Sequence, residues 1–88
     1  MKEHVGFYKE LFEDEHWRSL SAAAKIYYIH LKARYTGSNN GEIQLTHAAM
    51  KGVKGCSSRR KVSKAIKELK SKGWIEEDGV YGPFRFKN

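Results

Sequence analysis

The sequence contains one cysteine and one proline in 88 residues, and it has no long hydrophobic run. Cys56 alone cannot form an intramolecular disulfide, which favours a reducing compartment. Neither a signal-like apolar stretch nor the roughly eighteen consecutive apolar residues of a membrane helix is present. We therefore expect a cytoplasmic protein that has no role in a membrane.

The chain also lacks the usual combinations of catalytic and metal-binding residues. No paired carboxylates, no Ser-His-Asp set and no glycine-rich phosphate loop can be assembled from it. No cysteine or carboxylate stands at ligand spacing from any of the four histidines. Those histidines are His4, His16, His30 and His47. We expect neither an enzyme nor a metal or other cofactor.

Acidic residues are nearly absent from one quarter of the chain. Residues 51–72 contain nine basic side chains and one acid, Glu68, so this segment carries a formal charge of +8 and the remainder sums to about −1. Such a local concentration of charge attracts polyanions, nucleic acids above all. A solvated basic helix face is the alternative that charge alone leaves open.

Hydrophobic periodicity predicts a mainly α domain with a single small core. Apolar side chains within residues 1–18 recur every three to five residues, which predicts an arm or short helix that packs on the core. They are Val5, Phe7, Tyr8, Leu11, Phe12 and Trp17. Residues 19–37 predict the central helix, with Ser21 as its cap and Gly37 at its end.

Short elements follow the central helix. Ile43 and Leu45 alternate with polar residues, which predicts a short strand with both side chains facing inward. Thr46 is a suitable cap for a helix of one or two turns over residues 47–50. The glycine-containing segment 51–56 predicts a tight turn.

The basic residues fall mostly on a second long helix. Ser57 or Ser58 caps this helix over residues 58–72, and Gly73 ends it. Its apolar residues form one narrow stripe with the charged residues opposite. The stripe consists of Val62, Ala65, Ile66 and Leu69.

The C-terminal region predicts a β-hairpin. Residues 74–77 and Val80-Tyr81 have strand composition and flank Asp78-Gly79, a strong signal for a two-residue turn. Pro83 restricts the second strand to a sheet edge.

This order of elements, together with three sequence segments, resembles a winged helix-turn-helix domain. The segments are LSAAAKIY at 20–27, NNGEIQLT at 39–46 and the run that opens SSRRKV at 57 and closes KGWI at 75. The resemblance covers most of residues 19–81 and implies a three-helix core with a short wing over 19–88, preceded by the arm at 1–18. The turn at 51–56 is more basic and glycine-rich than is usual in this family, and the wing is very short.

Similar domains occur in prokaryotic and phage transcription regulators and in the N-terminal domains of phage and plasmid replication initiators. The resemblance thus implies sequence-specific binding of double-stranded DNA, with helix 58–72 inserted into the major groove. It leaves open whether the chain is a regulator or an initiator. We expect it to be associated with the nucleoid.

The helix-turn-helix geometry assigns roles to individual residues. Outward side chains near the start of the second helix reach base edges, and arginine can bind guanine through two hydrogen bonds. The expected base readers are Arg59, Arg60, Ser63, Lys64 and Lys67. The expected contacts to the DNA backbone are Thr46, Lys51, Lys54, Ser57, Ser58, Lys61 and Arg85. Lys70 and Lys72 lie near the helix end, where a structural or general electrostatic role is favoured.

Two other functions and one assembly remain open from the sequence. The acidic residues 13–15 and the short wing suit a module that docks on protein, and the basic face suits RNA as well. A homodimer is possible, with residues 5–17 helping to build its interface.

Overall fold

The computed structural model of the chain describes residues 13–77 and 83–86. Within these residues the architecture is mainly α and ends in a two-stranded antiparallel sheet, which confirms the predicted fold class. In chain order the elements are α1 (Glu15–Arg18), α2 (Ala22–Ala33), a 3₁₀ turn (Ala48–Met50), α3 (Arg59–Ser71), β1 (Ile75–Glu77) and β2 (Phe84–Phe86). None of the helices in these ranges is long and apolar enough to cross a membrane.

Helix α2 begins at the predicted cap but ends before the predicted glycine. The Ser21 hydroxyl accepts a hydrogen bond from the Ala24 amide at 3.2 Å. The expected end at Gly37 is wrong, because α2 stops at Ala33. The Asn39 side chain binds the backbone beyond that point, accepting from the Thr36 amide at 2.9 Å and donating to the Arg34 carbonyl at 3.0 Å. These side-chain bonds replace the next helical turn.

Helix α3 has both of its predicted ends. The Ser58 hydroxyl caps it by accepting from the Lys61 amide at 3.1 Å. At its other end Gly73 has a φ of +81°. There the Trp74 amide donates to the Leu69 carbonyl at 2.9 Å, which closes a Schellman motif. The whole predicted apolar stripe is buried, namely Val62, Ala65, Ile66 and Leu69.

The hairpin register differs from the prediction. Glu77 pairs with Phe84, whereas a two-residue turn at Asp78-Gly79 would pair it with Val80. The predicted turn and the predicted strand at Val80-Tyr81 lie outside the described residues. The second described strand is β2, which follows Pro83.

The aromatic residues of β2 explain this register. The Phe84 ring is fully buried and meets Tyr27 of α2 edge-to-face, with ring centroids 6.1 Å apart. Phe86, on the same side of the strand, meets Tyr28 at 5.4 Å. Register is set by the side chains that a strand buries, and this pairing places two large rings against α2. The hairpin therefore packs on α2.

The segment before the 3₁₀ turn joins the same core. The predicted strand at Ile43 and Leu45 is wrong, since Ile43 forms only a single antiparallel bridge with Phe84. Both side chains are buried, as predicted. The Tyr27 hydroxyl donates to the Leu45 carbonyl at 2.6 Å. Burial, assisted by the nearby Glu77 carboxylate, raises the pKa of Tyr27. The tyrosine is thus a neutral packing residue.

Trp17, which belongs to the predicted N-terminal apolar set, packs in the core. This side chain is buried, and its ring meets those of Tyr28 and Trp74 edge-to-face at 5.7 and 5.8 Å. Edge-to-face pairs at such distances contribute about 0.5–1.5 kcal/mol beyond area burial. The other predicted arm residues, Val5 to Phe12, lie outside the described part of the chain.

Helices α2 and α3 are joined by a clamp between Ser21 and Glu68. The Glu68 carboxylate accepts from the Ser21 amide at 2.8 Å and from the Ser21 hydroxyl at 2.7 Å. The Lys72 ammonium lies 3.6 Å from the same carboxylate and donates to the Ser19 carbonyl at 3.3 Å. Partial burial opposes ionisation of Glu68, but these hydrogen bonds and the lysine charge outweigh it and lower its pKa.

We expect Glu68→Gln to destabilise the domain by about 1 kcal/mol at pH 7, because hydrogen bonds to a charged group are stronger than neutral ones. Glu42→Gln is the control, since Glu42 is exposed and changes charge equally. A lowered pKa stabilises the fold above the unfolded-state pKa of about 4.3, and this contribution is lost as the pH falls through the folded-state pKa. Urea unfolding of both variants and the parent should therefore show the Glu68→Gln deficit shrinking below about pH 4. A constant deficit across pH would contradict the assignment.

Two glycines of the turn before α3 allow a matched test of packing. Gly52 and Gly55 have φ values of +87° and +91°. A Cβ at Gly55 would lie 2.6 Å from Cδ1 of Ile26, whereas one at Gly52 would meet no atom within 4 Å. We expect Gly52→Ala to cost about 1 kcal/mol through backbone strain. Gly55→Ala should cost about 0.5 kcal/mol more, because the terminal Cδ1 of the Ile26 side chain must turn aside. Equal thermal stabilities would show that the turn does not pack on α2 as described.

Candidate nucleic-acid interface

The nine basic residues of the segment 51–72 divide into two groups. Lys70 forms an ion pair with Glu77 at 2.7 Å, and Lys72 pairs with Glu68. These two lysines hold α3 to its neighbours, which supports the structural role favoured for them. The other seven form no ion pair within residues 13–77 and 83–86. They are Lys51, Lys54, Arg59, Arg60, Lys61, Lys64 and Lys67.

Three of the five expected base readers share one face of α3. At about 100° of rotation per residue, Arg60, Lys64 and Lys67 lie opposite the buried stripe. All three side chains are exposed. Arg59 is exposed and Ser63 half-buried, and both lie toward one flank of this face. Helix α3 thus presents three cations on its outward face, with Arg59 and Ser63 at the edge of that face.

The expected backbone contacts near the start of α3 are accessible to different degrees. Lys51, Lys54 and Lys61 are exposed, while Ser57 is half-buried. The exposed Ser58 uses its oxygen as the helix cap. Its hydroxyl hydrogen remains able to donate to an anion. Two of these cations precede α3 in the chain, and Lys61 lies in its first turn.

Thr46 and Arg85 lie away from the start of α3 in the sequence and have their own local contacts. The exposed Thr46 hydroxyl accepts from the Ala49 amide at 3.3 Å, in the manner expected of a cap. Arg85 stands opposite Glu76 in the hairpin, and its guanidinium covers Gly41. A Cβ at Gly41 would lie 2.5 Å from its Nη2 atom. The described contacts of Arg85 are with the hairpin and this loop.

The only cysteine belongs to the core. Cys56 is fully buried beside the start of α3. Burial raises the pKa of its thiol, and the charge of Lys61 offsets only part of this effect. A protonated thiol out of contact with water suits packing and not redox chemistry. Among the described residues, no group of three His, Cys, Asp or Glu side chains converges to bind a metal ion.

The structure shows one surface feature that the sequence did not reveal. A groove of about 850 Å³ runs between α2 and α3, with Ala22, Ala23 and Gly55 in its lining. Lys61, Lys64 and Lys67 contribute to the same lining. The small residues look unremarkable in the sequence, because they meet only when the two helices pack. No periodic pattern within either helix indicates the groove.

Comparison with known proteins identifies no relative of this chain. No protein-family model, no curated protein and no solved structure matches the chain.

Proposed function

We propose that this domain binds double-stranded DNA in the manner of a winged helix-turn-helix, with α3 inserted into the major groove. The observation that carries the proposal is the set of exposed, unpaired cations on the face of α3 opposite its buried stripe. Arg60, Lys64 and Lys67 have no acidic partner in the described structure. A face built only to keep a domain soluble usually mixes both charge signs.

The arrangement of elements supports the same proposal. A short turn of helix, a glycine-containing connection, a basic helix and a hairpin follow one another in the order of that fold. The hairpin packs on α2, so α3 keeps its outward face free of the sheet. The 3₁₀ turn Ala48–Met50 is shorter than the first helix of most helix-turn-helix motifs, which moves more of the backbone grip to Lys51 and Lys54.

The expected readers divide into specific and general contacts. The guanidinium groups of Arg59 and Arg60 can each bind guanine O6 and N7, with about 1–3 kcal/mol of discrimination per bidentate pair. Ser63 can contact a base or a phosphate. Lys64 and Lys67 act chiefly as point charges. Specificity therefore rests on two arginines, and affinity rests on the cations around them.

Duplex DNA suits this surface better than duplex RNA does. The deep, narrow major groove of A-form RNA does not admit such a helix. A role as a transcription regulator or as a replication-initiator module is compatible with the same interface, and so is a homodimer that brings two α3 helices to half-sites one helical turn apart.

The first test is the salt dependence of duplex binding. Each phosphate that is neutralised contributes about −0.9 to the slope of log K against log salt. With seven unpaired cations near α3, we expect a slope of roughly −3 to −6 in fluorescence anisotropy with labelled duplex DNA. Duplex RNA and single-stranded DNA of equal length should compete at least about tenfold less well. A folded protein that binds no duplex at low salt would overturn the proposal and favour a protein-docking module.

The second test separates readers from backbone contacts. We expect Arg60→Ala to weaken binding to a selected duplex by about 5- to 150-fold, with little change on unrelated duplexes. Arg59→Ala should relax preference at a neighbouring base pair. Lys54→Ala should weaken all sequences alike and make the salt slope less steep by about one unit.

The control for both arginines is Arg18→Ala, the same change at an exposed position of α1. Selection from randomised duplexes at two salt concentrations measures these effects together. Uniform weakening by all of the α3 variants would remove the specific-reader assignment.

A further inference from the structure

DNA binding accounts for the cations of α3 but not for the apolar groove beside them. The groove between α2 and α3 is lined mainly by apolar atoms, and Ala22, Ala23 and Gly55 form its floor. The aliphatic stems of Lys61 and Lys64 add to this apolar surface, since lysine can bury its stem while its ammonium stays in water. Phosphates and sugars gain little from contact with methyl groups.

The apolar surface continues along α2. Ala22, Ile26, Ile29 and Ala33 are spaced by four, three and four residues, so they form one stripe on the side of α2 opposite its buried face. Among the described residues, Ile29 is the one large hydrophobic residue that is exposed, at 37%. Ile26 is half-buried and lies against the turn at Gly55, at the edge of the groove. Ile26 therefore links the turn at Gly55, which lines the groove, to the apolar stripe of α2.

The unpaired charges at the rim of the groove are all positive. Lys61, Lys64 and Lys67 line the groove and have no ion pair in the described structure. Its one acid, Glu68, already accepts two hydrogen bonds from Ser21 and faces Lys72. The groove is therefore apolar inside and positive at its edge.

We propose that an acidic amphipathic helix of a partner protein docks in this groove. Its apolar residues contact the floor, and its carboxylates pair with the lysines of the rim. Amphipathic helices commonly bind grooves in this way, through apolar anchors at positions i, i+3, i+4 and i+7. Charge complementarity selects an acidic helix over a second copy of this chain, whose α2 and α3 are both basic.

A helix bound in the groove would cover part of the proposed DNA interface. Lys64 and Lys67 line the groove and also lie on the outward face of α3. A bound acidic helix would therefore occupy two residues that DNA requires, and the two ligands would exclude one another. This consequence rests on the proposed DNA binding, whereas the docking itself does not.

The test uses two capped synthetic peptides, each about four helical turns long. The first is rich in glutamate and has leucines at the i, i+3, i+4, i+7 spacing, and the second replaces every leucine by serine at the same net charge. In calorimetry without DNA we expect the leucine peptide to bind at least about tenfold more tightly, because each buried leucine contributes apolar contact. Equal affinities would overturn the proposal by showing only attraction between a polyanion and a basic face, as would no binding of either peptide to the folded protein.

A pair of neutral substitutions locates the binding site. Ala22 is exposed at the first position of α2, where glutamine is a good helix residue, so Ala22→Gln adds a polar side chain to the floor without changing charge. Ala49→Gln makes the same change at an exposed alanine outside the groove. We expect Ala22→Gln to weaken the leucine peptide by about fivefold or more and Ala49→Gln by less than about twofold. Equal effects of the two substitutions would place the peptide elsewhere and overturn the assignment.

A competition arm keeps the two proposals distinguishable. Duplex DNA should displace the leucine peptide if both use Lys64 and Lys67. If the duplex does not bind at all, the DNA proposal fails, and the peptide measurements still decide the docking proposal. If duplex and peptide bind together, the shared-lysine geometry is wrong.

Discussion

The two long helices are joined at their surface by one carboxylate. Glu68 is the single acid among nine cations in its segment, and its side chain is only 22% exposed. It accepts hydrogen bonds from the residue that caps α2, so one group fixes both the start of that helix and its contact with α3. Ser21 in turn accepts from the Ala24 amide. Removing the charge therefore loosens a helix cap and a helix pair together.

The same contact determines which cations are free. Lys72 approaches Glu68, and Lys70 approaches the largely buried Glu77, so the acids within reach of the C-terminal half of α3 are used by its last two lysines. The cations toward its N-terminal half have no such partner among the described residues. Like charges that lie close together repel one another, and a bound anion would relieve that repulsion. A polyanion bound there would thus stabilise the fold as well.

Most of the local structure could be predicted from the sequence. Ser21, Ser58 and Gly73 act as the expected helix ends, and the apolar stripe of α3 is buried as its spacing indicates. These features depend on neighbours a few residues away, which is the range that periodicity and capping rules describe. The end of α2 differs from the prediction because Asn39, six residues beyond Ala33, competes for the backbone groups that follow the helix.

Features that depend on distant residues could not be predicted in this way. The hairpin register follows from the fit of Phe84 and Phe86 against α2, which outweighs the local turn signal at 78–79. The division of the cations into paired and unpaired sets follows from contacts with Glu68 and Glu77. Position near the helix end already separated Lys70 and Lys72 from the other seven, but their partners, Glu77 and Glu68, are known only from the folded chain.

The two proposed ligands differ in what they require of these cations. A lysine ammonium is a point charge that can face a phosphate or a carboxylate with little angular preference. An arginine guanidinium has a fixed geometry that matches a guanine edge. Lys64 and Lys67 can therefore serve either ligand, while Arg59 and Arg60 are selective only in the major groove. The arginines favour DNA, whereas the apolar floor favours the protein helix, because its methyl groups would stabilise a protein helix and not a sugar-phosphate backbone. Specificity for each proposed ligand would thus come from a different part of one surface, and the lysines between them would make the two ligands compete.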